Sequence, residues 1–70
     1  MRLSTRNQLT GTITEVTPGS VMATVKVRLD GGDQIVTASI TKDAAEELEL
    51  KAGLPATVLI KSTEVSIGVE

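Results

Sequence analysis

This sequence predicts an all-β domain, an OB-like five-stranded barrel with one short helix between its third and fourth strands. Three observations carry the prediction. Apolar and polar residues alternate with a period of two along several short runs, turn residues separate those runs, and one segment rich in Ala, Glu and Leu departs from the alternation. Seventy residues make one domain, 1–70, with no linker, repeat or low-complexity tract.

The first strand is read over Gln8 to Val16, Thr-rich and β-branched, with Gly11 inside it as the mark of a bulge or sharp bend. Thr17-Pro18-Gly19-Ser20 then turns the chain. The clearest strand follows: Val21, Ala23, Val25, Val27 and Leu29 share one face, and Met22, Thr24, Lys26 and Arg28 share the other. Asp30-Gly31-Gly32-Asp33 predicts a hairpin into Gln34–Ile40, with Val36, Ala38 and Ile40 facing the core. Lys42 to Leu50 is the helix, with Thr41 as N-cap and Ala44, Ala45 and Leu48 against the sheet. Lys51-Ala52-Gly53 supplies a cationic end and a glycine stop. Ala56–Ile60 and Val65–Val69, joined through Lys61-Ser62-Thr63-Glu64, complete the five strands. Five short strands with a helix between the third and fourth is the order of an OB-type barrel.

Composition narrows what such a domain can do. A chain this short buries only about 60% of the surface its unfolded form exposes. With no Cys and no His there is neither a disulfide nor a structural zinc site to help it. With no Phe, Tyr or Trp the core rests on Val, Ile, Leu, Ala and Met. Association with copies of itself is the remedy left, and the outward apolar residues Met22, Ile35 and Leu59 agree with it. A net charge of −2, seven scattered cations and no aromatic residue argue against a nucleic-acid partner. No apolar run is long enough to span a bilayer, and Met1-Arg2-Leu3-Ser4 lacks the apolar region of a signal peptide. A cytoplasmic protein with no membrane partner is expected.

Catalytic groups are scarce. Without His or Cys there is no ready base, nucleophile or soft metal ligand, so an enzyme is not expected, nor a cofactor. Glu46 and Glu47 suit a solvated helix face better than a hard-cation site, and no residue is read as a direct metal ligand. Donors are better represented. Ser4-Thr5-Arg6-Asn7-Gln8 precedes the first strand, Lys61-Ser62-Thr63 ends another, and the helix start at Thr41 gathers backbone N–H groups. Hydroxyl, amide and cationic donors with few nearby acids are what a fully ionised oxyanion requires.

Taken together, these segments resemble the molbindins, the Mop family of molybdate-binding proteins. The resemblance begins at Ser4-Thr5-Arg6-Asn7-Gln8-Leu9 with Gly11 and continues through Gly31-Gly32 and Ile40-Thr41. It takes in Glu46-Glu47-Leu48, Leu50 and Gly53, and ends at Lys61-Ser62-Thr63-Glu64-Val65, covering essentially the whole chain. It implies non-catalytic binding of molybdate or tungstate between subunits of a hexamer built as a trimer of dimers, for storage or homeostasis of the anion. Carried over residue by residue, Ser4 and Arg6 are donors from one subunit, Lys61 and Ser62 donors from its neighbour, and Thr41 a further hydroxyl contact. Where some relatives have Ser, this chain has Ala44, so a contact there falls to the backbone N–H at the helix start. The resemblance also implies a second class of site on the threefold axis, for which the Gly19-Ser20-Val21 turn is a candidate. Two other readings stand beside this one: an OB-type nucleic-acid-binding module, and a structural oligomer whose polar arm only seals an interface.

Overall fold

The computed structural model describes all 70 residues. Four strands form one antiparallel sheet: β1 (Asn7–Pro18), β2 (Met22–Leu29), β3 (Ile35–Thr41) and β4 (Pro55–Ile60), in the spatial order β3-β2-β1-β4. Helix α1 (Lys42–Glu47) joins β3 to β4, and a 3-10 turn (Ser62–Glu64) follows β4. The alternation read from the sequence sets the faces. Ala23, Val25 and Val27 of β2 are buried, Val36, Ala38 and Ile40 of β3 are half-buried, and their neighbours in sequence are more exposed. Ile13, Val25 and Val27 form the centre of the core, at 1%, 4% and 4% exposure.

Gly11 does not carry the bulge expected of it. Its pairing with Leu29 is regular, and the register shift lies between Ile13 and Glu15, with Thr14 as the extra residue. That position has a sequence cause. Ile13 and Val16 are three residues apart, so a flat strand would send them to opposite faces. The bulge turns both towards the core. Gly11 answers a different need. It pairs on both sides, and a Cβ there would strike the Arg28 carbonyl and come within 2.9 Å of Val27 Cγ1.

The Asp30–Asp33 hairpin is present, closed by the Leu29 N–H donating to the Gln34 carbonyl at 2.8 Å, with Gly31 at φ 87°. Val21 lies outside β2 and is 70% exposed, because the turn from Pro18 to Met22 carries it past the sheet. Thr41 caps α1 as expected, its Oγ1 accepting from the Ala44 N–H at 3.1 Å.

The helix ends at Glu47, short of the expected Leu50, and Gly53 is not its stop. Glu49 takes the left-handed conformation instead, at φ 53°. Its N–H donates to the Glu46 carbonyl at 3.0 Å and that of Leu50 to Ala45 at 3.1 Å, the paired bonds of a Schellman end. With the helix over, Leu48 points outward at 65% exposure and Leu50 packs on the core in its place. Gly53, at φ 91°, lets the return loop donate its N–H to the Ile13 carbonyl at 2.8 Å. Lys51 lies beyond the last helical turn, which holds no basic residue.

The largest departure is the fifth strand. Val65–Val69 pairs with nothing in the chain, and Ile67 and Val69 are 87% and 92% exposed. The sheet is therefore a half-barrel with two free edges, β3 and β4. Between them opens an apolar cleft of about 490 Å³, lined by Val27, Ala38, Ile40, Leu50, Ala56 and Val58 among others.

Candidate functional site

The donors gather at two ends of the sheet. Asn7 pairs with Ile60 at the start of β1 and the end of β4. Arg6 and Lys61 are the next residues beyond that pair, on the same side of it. Ser4 and Ser62 follow them, one on the N-terminal arm and one opening the 3-10 turn. All four residues are exposed.

Two hydrogen bonds hold this end. Asn7 Nδ2 donates to the Ile60 carbonyl at 3.1 Å, and Gln8 Nε2 donates to the Thr5 carbonyl at 2.7 Å. The first ties the Arg6 arm to the strand that presents Lys61; the second folds the arm back on itself. Asn7 is thus a positioning residue, although in sequence it is only one polar side chain among five. Its role depends on a partner 53 residues away, and no local signal announces it.

Electrostatics favour an anion here. The chain's one ion pair joins Lys26 to Glu15 at 4.0 Å, far along the sheet from this end. Neither Arg6 nor Lys61 has a carboxylate within that distance, and the side chains of Ser4, Arg6, Lys61 and Ser62 make no hydrogen bonds within the chain. No group of three acidic residues is placed to hold a metal ion.

Thr41 and Ala44 sit at the opposite end. Thr41 pairs with Met22 at the start of β2, and Ala23 pairs with Pro18 at the end of β1. The length of β1 therefore separates them from Arg6 by roughly 35–40 Å along the strand, taking the rise of a β-strand per residue. The Ala44 N–H is engaged by Thr41 Oγ1, which leaves the Thr41 hydroxyl proton available to donate. The Gly19-Ser20-Val21 turn lies at this second end, where the Lys42 N–H donates to the Val21 carbonyl at 2.8 Å. One chain thus brings Ser4, Arg6, Lys61 and Ser62 to one end, and keeps Thr41, Ala44 and the Gly19–Val21 turn apart from them.

Comparison with known proteins places the chain in a family. The TOBE domain family model matches residues 3–67. The chain is 45% identical over 67 residues to molybdenum-pterin-binding protein 3 of Clostridium pasteurianum, covering 96% of this chain and 97% of that one. Its fold matches the molybdate-binding protein of Sporomusa ovata with a TM-score of 0.91 at 33% identity, covering 99% and 100% of the two chains. It also matches the cytoplasmic molybdate-binding protein ModG, solved with molybdate bound, with a TM-score of 0.82 at 45% identity, over 89% of this chain and 43% of that one. Matched along nearly its whole length in both sequence and fold, the chain belongs to the TOBE-domain family and, within it, to the Mop proteins, the molbindins.

Proposed function

We propose that the chain binds molybdate, and tungstate about as well, at subunit interfaces and without transforming either anion. The observation that carries this reading is the placement of Ser4 and Arg6, and of Lys61 and Ser62, just beyond the Asn7–Ile60 pair at one end of the sheet, with no carboxylate within 4.0 Å of either cation.

The chemistry follows from what the anion offers. Molybdate at neutral pH carries no proton, so its four oxygens only accept hydrogen bonds. Phosphate retains a proton that needs an acceptor, and a pocket of donors without a carboxylate leaves that proton unsatisfied. Sulfate has the same charge and shape and differs in size, so cavity dimensions must reject it. Arg6 and Lys61 contribute charge-assisted hydrogen bonds, and the serine hydroxyls turn to suit the oxygen in front of them.

The site is shared. Two chains meeting at the Asn7–Ile60 end set Ser4 and Arg6 of each against Lys61 and Ser62 of the other. Thr41 and the Ala44 region, roughly 35–40 Å along the sheet by strand rise, join such a site only from a further chain, which a hexamer of three dimers provides. Storage or homeostasis of the anion in the cytoplasm is the role that suits a protein binding it unchanged.

Calorimetry against molybdate, tungstate, sulfate, phosphate and a short oligonucleotide tests this reading. Binding of the first two with little or none of the others is expected. Oligonucleotide binding that weakens steeply with salt would replace it with the nucleic-acid reading.

A further inference from the structure

Two carboxamide side chains at the donor end act in the same way on two different peptide bonds. Asn7 Nδ2 donates to the Ile60 carbonyl at 3.1 Å, and Gln8 Nε2 donates to the Thr5 carbonyl at 2.7 Å. Ile60 comes immediately before Lys61, and Thr5 immediately before Arg6. Each cation of the proposed site is therefore preceded by a backbone oxygen that a carboxamide engages.

The orientation of the two peptides follows. A trans peptide holds its C=O and N–H antiparallel, and the chain has no cis bond. With the Thr5 carbonyl turned towards Gln8, the Arg6 N–H is turned away from it. With the Ile60 carbonyl turned towards Asn7 on β1, the Lys61 N–H looks out from β4, an edge strand. Neither N–H has a partner within the chain. Each carboxamide thus occupies an acceptor and leaves the other side of the same peptide as a donor.

An oxyanion without a proton is repelled by any carbonyl oxygen within reach. Hydrogen phosphate can use one, because its remaining proton needs an acceptor. A pocket wall without carboxylates still carries a carbonyl on every residue. The lack of an acid is therefore not enough to exclude a protonated anion; the backbone acceptors beside the two cations must be engaged as well. We infer, resting on the molybdate reading above, that Asn7 and Gln8 are specificity-determining positioning residues. They mask the Ile60 and Thr5 carbonyls, and so disfavour protonated oxyanions without touching the anion themselves. Asn7 is half-buried and also ties β1 to β4. Gln8 is exposed and its bond spans three residues, so it can be changed at little cost to the fold.

Gln8→Met keeps the length of the side chain and removes its donor, and Asn7→Leu does the same for the other peptide. Molybdate affinity is measured by calorimetry on the full, assembled protein at slightly alkaline pH, where phosphate retains one proton. Phosphate and sulfate affinities come from the concentrations that displace bound molybdate. In Gln8→Met, molybdate binding should weaken about fivefold, the equivalent of one neutral hydrogen bond. Phosphate should bind no worse than before, so the preference for molybdate over phosphate narrows by about fivefold or more. Asn7→Leu should narrow it in the same direction. Sulfate, which has no proton, should weaken along with molybdate. Equal weakening of molybdate and phosphate would make the two residues merely structural. Unchanged molybdate affinity in Gln8→Met would show that the Thr5 carbonyl never faces the anion, and sulfate that held while molybdate weakened would point to pocket size. Each of these three results overturns the inference. A wild-type protein that binds no molybdate would overturn the site itself, a result distinct from selective binding that survives the loss of either carboxamide.

Discussion

The middle of the sheet and the two chain ends are made of similar residues and behave in opposite ways. Around Gly11–Ile13 and Val25–Val27 the chain satisfies itself, with side chains buried, the ladder complete and glycine where two strands approach closely. At Ser4–Arg6 and Lys61–Val69 it does not. Valine and isoleucine lie in water there, and two cations have no carboxylate partner. The difference teaches that period-two alternation reports what a strand must bury, but not whether the chain itself supplies the cover. Substitutions in the middle should therefore act on folding, and substitutions at the ends on association and ligand binding.

The largest expected effect is in the middle. Ile13→Ala removes the largest fully buried side chain and should cost on the order of 2–5 kcal/mol in chemical unfolding, enough to unfold much of a domain this small. A loss below about 1 kcal/mol would mean that the core centre lies elsewhere. Gly11→Ala comes next. The new methyl meets the Arg28 carbonyl, which is backbone and cannot move aside cheaply, so a loss of roughly 1–3 kcal/mol is expected. Full stability in that variant would show that β1 and β2 sit further apart here.

Two arginines sharpen the contrast without disturbing the core. Arg6 lies at the end of the sheet and Arg28 on the outward face of its middle. Arg6→Ala should weaken molybdate binding about tenfold or more, the equivalent of one charge-assisted hydrogen bond, while Arg28→Ala should leave it unchanged. Equal affinities in the two variants, measured by calorimetry, would remove Arg6 from the site. The smallest effect belongs to the loop after α1. Glu49 is the only non-glycine residue with positive φ, so Glu49→Gly should stabilise the fold by roughly 0.5–1 kcal/mol with no change in ligand affinity. A drop in the thermal midpoint would mean that the Glu49 side chain contributes something the backbone argument leaves out.

Much of the middle was legible in the sequence, and the reason is local. The inward faces of β2 and β3 and the Asp30–Asp33 hairpin follow from alternation and turn chemistry, and the Thr41 cap follows from residue type at a helix start. The bulge at Thr14 was also written there, in the odd spacing of Ile13 and Val16, although Gly11 is the residue type that ordinarily marks one. The helix stop was hidden, because a glutamate took the left-handed position that usually marks itself with glycine, and that moved Leu48 outward and Leu50 inward. The fifth strand was legible as a pattern but not as a pairing, since pairing depends on where the 3-10 turn aims the chain. The proposed donor residues were named through their resemblance to those of the molbindins. Their separation into two ends was not, because it depends on a strand register that no short motif encodes.

The central claim is that Arg6 of one chain and Lys61 of another serve one anion, and mixed assemblies test it most directly. Arg6→Ala and Lys61→Gln chains are each expected to bind molybdate weakly while remaining folded and assembled. Unfolded and refolded together, they should regain a fraction of wild-type sites, since an intact half from each meets across an interface. Calorimetry on the mixture should therefore show a tight population absent from either variant alone. Mixed assemblies that form, yet bind no more tightly than the two variants separately, would place Arg6 and Lys61 in a site within one chain and contradict the account.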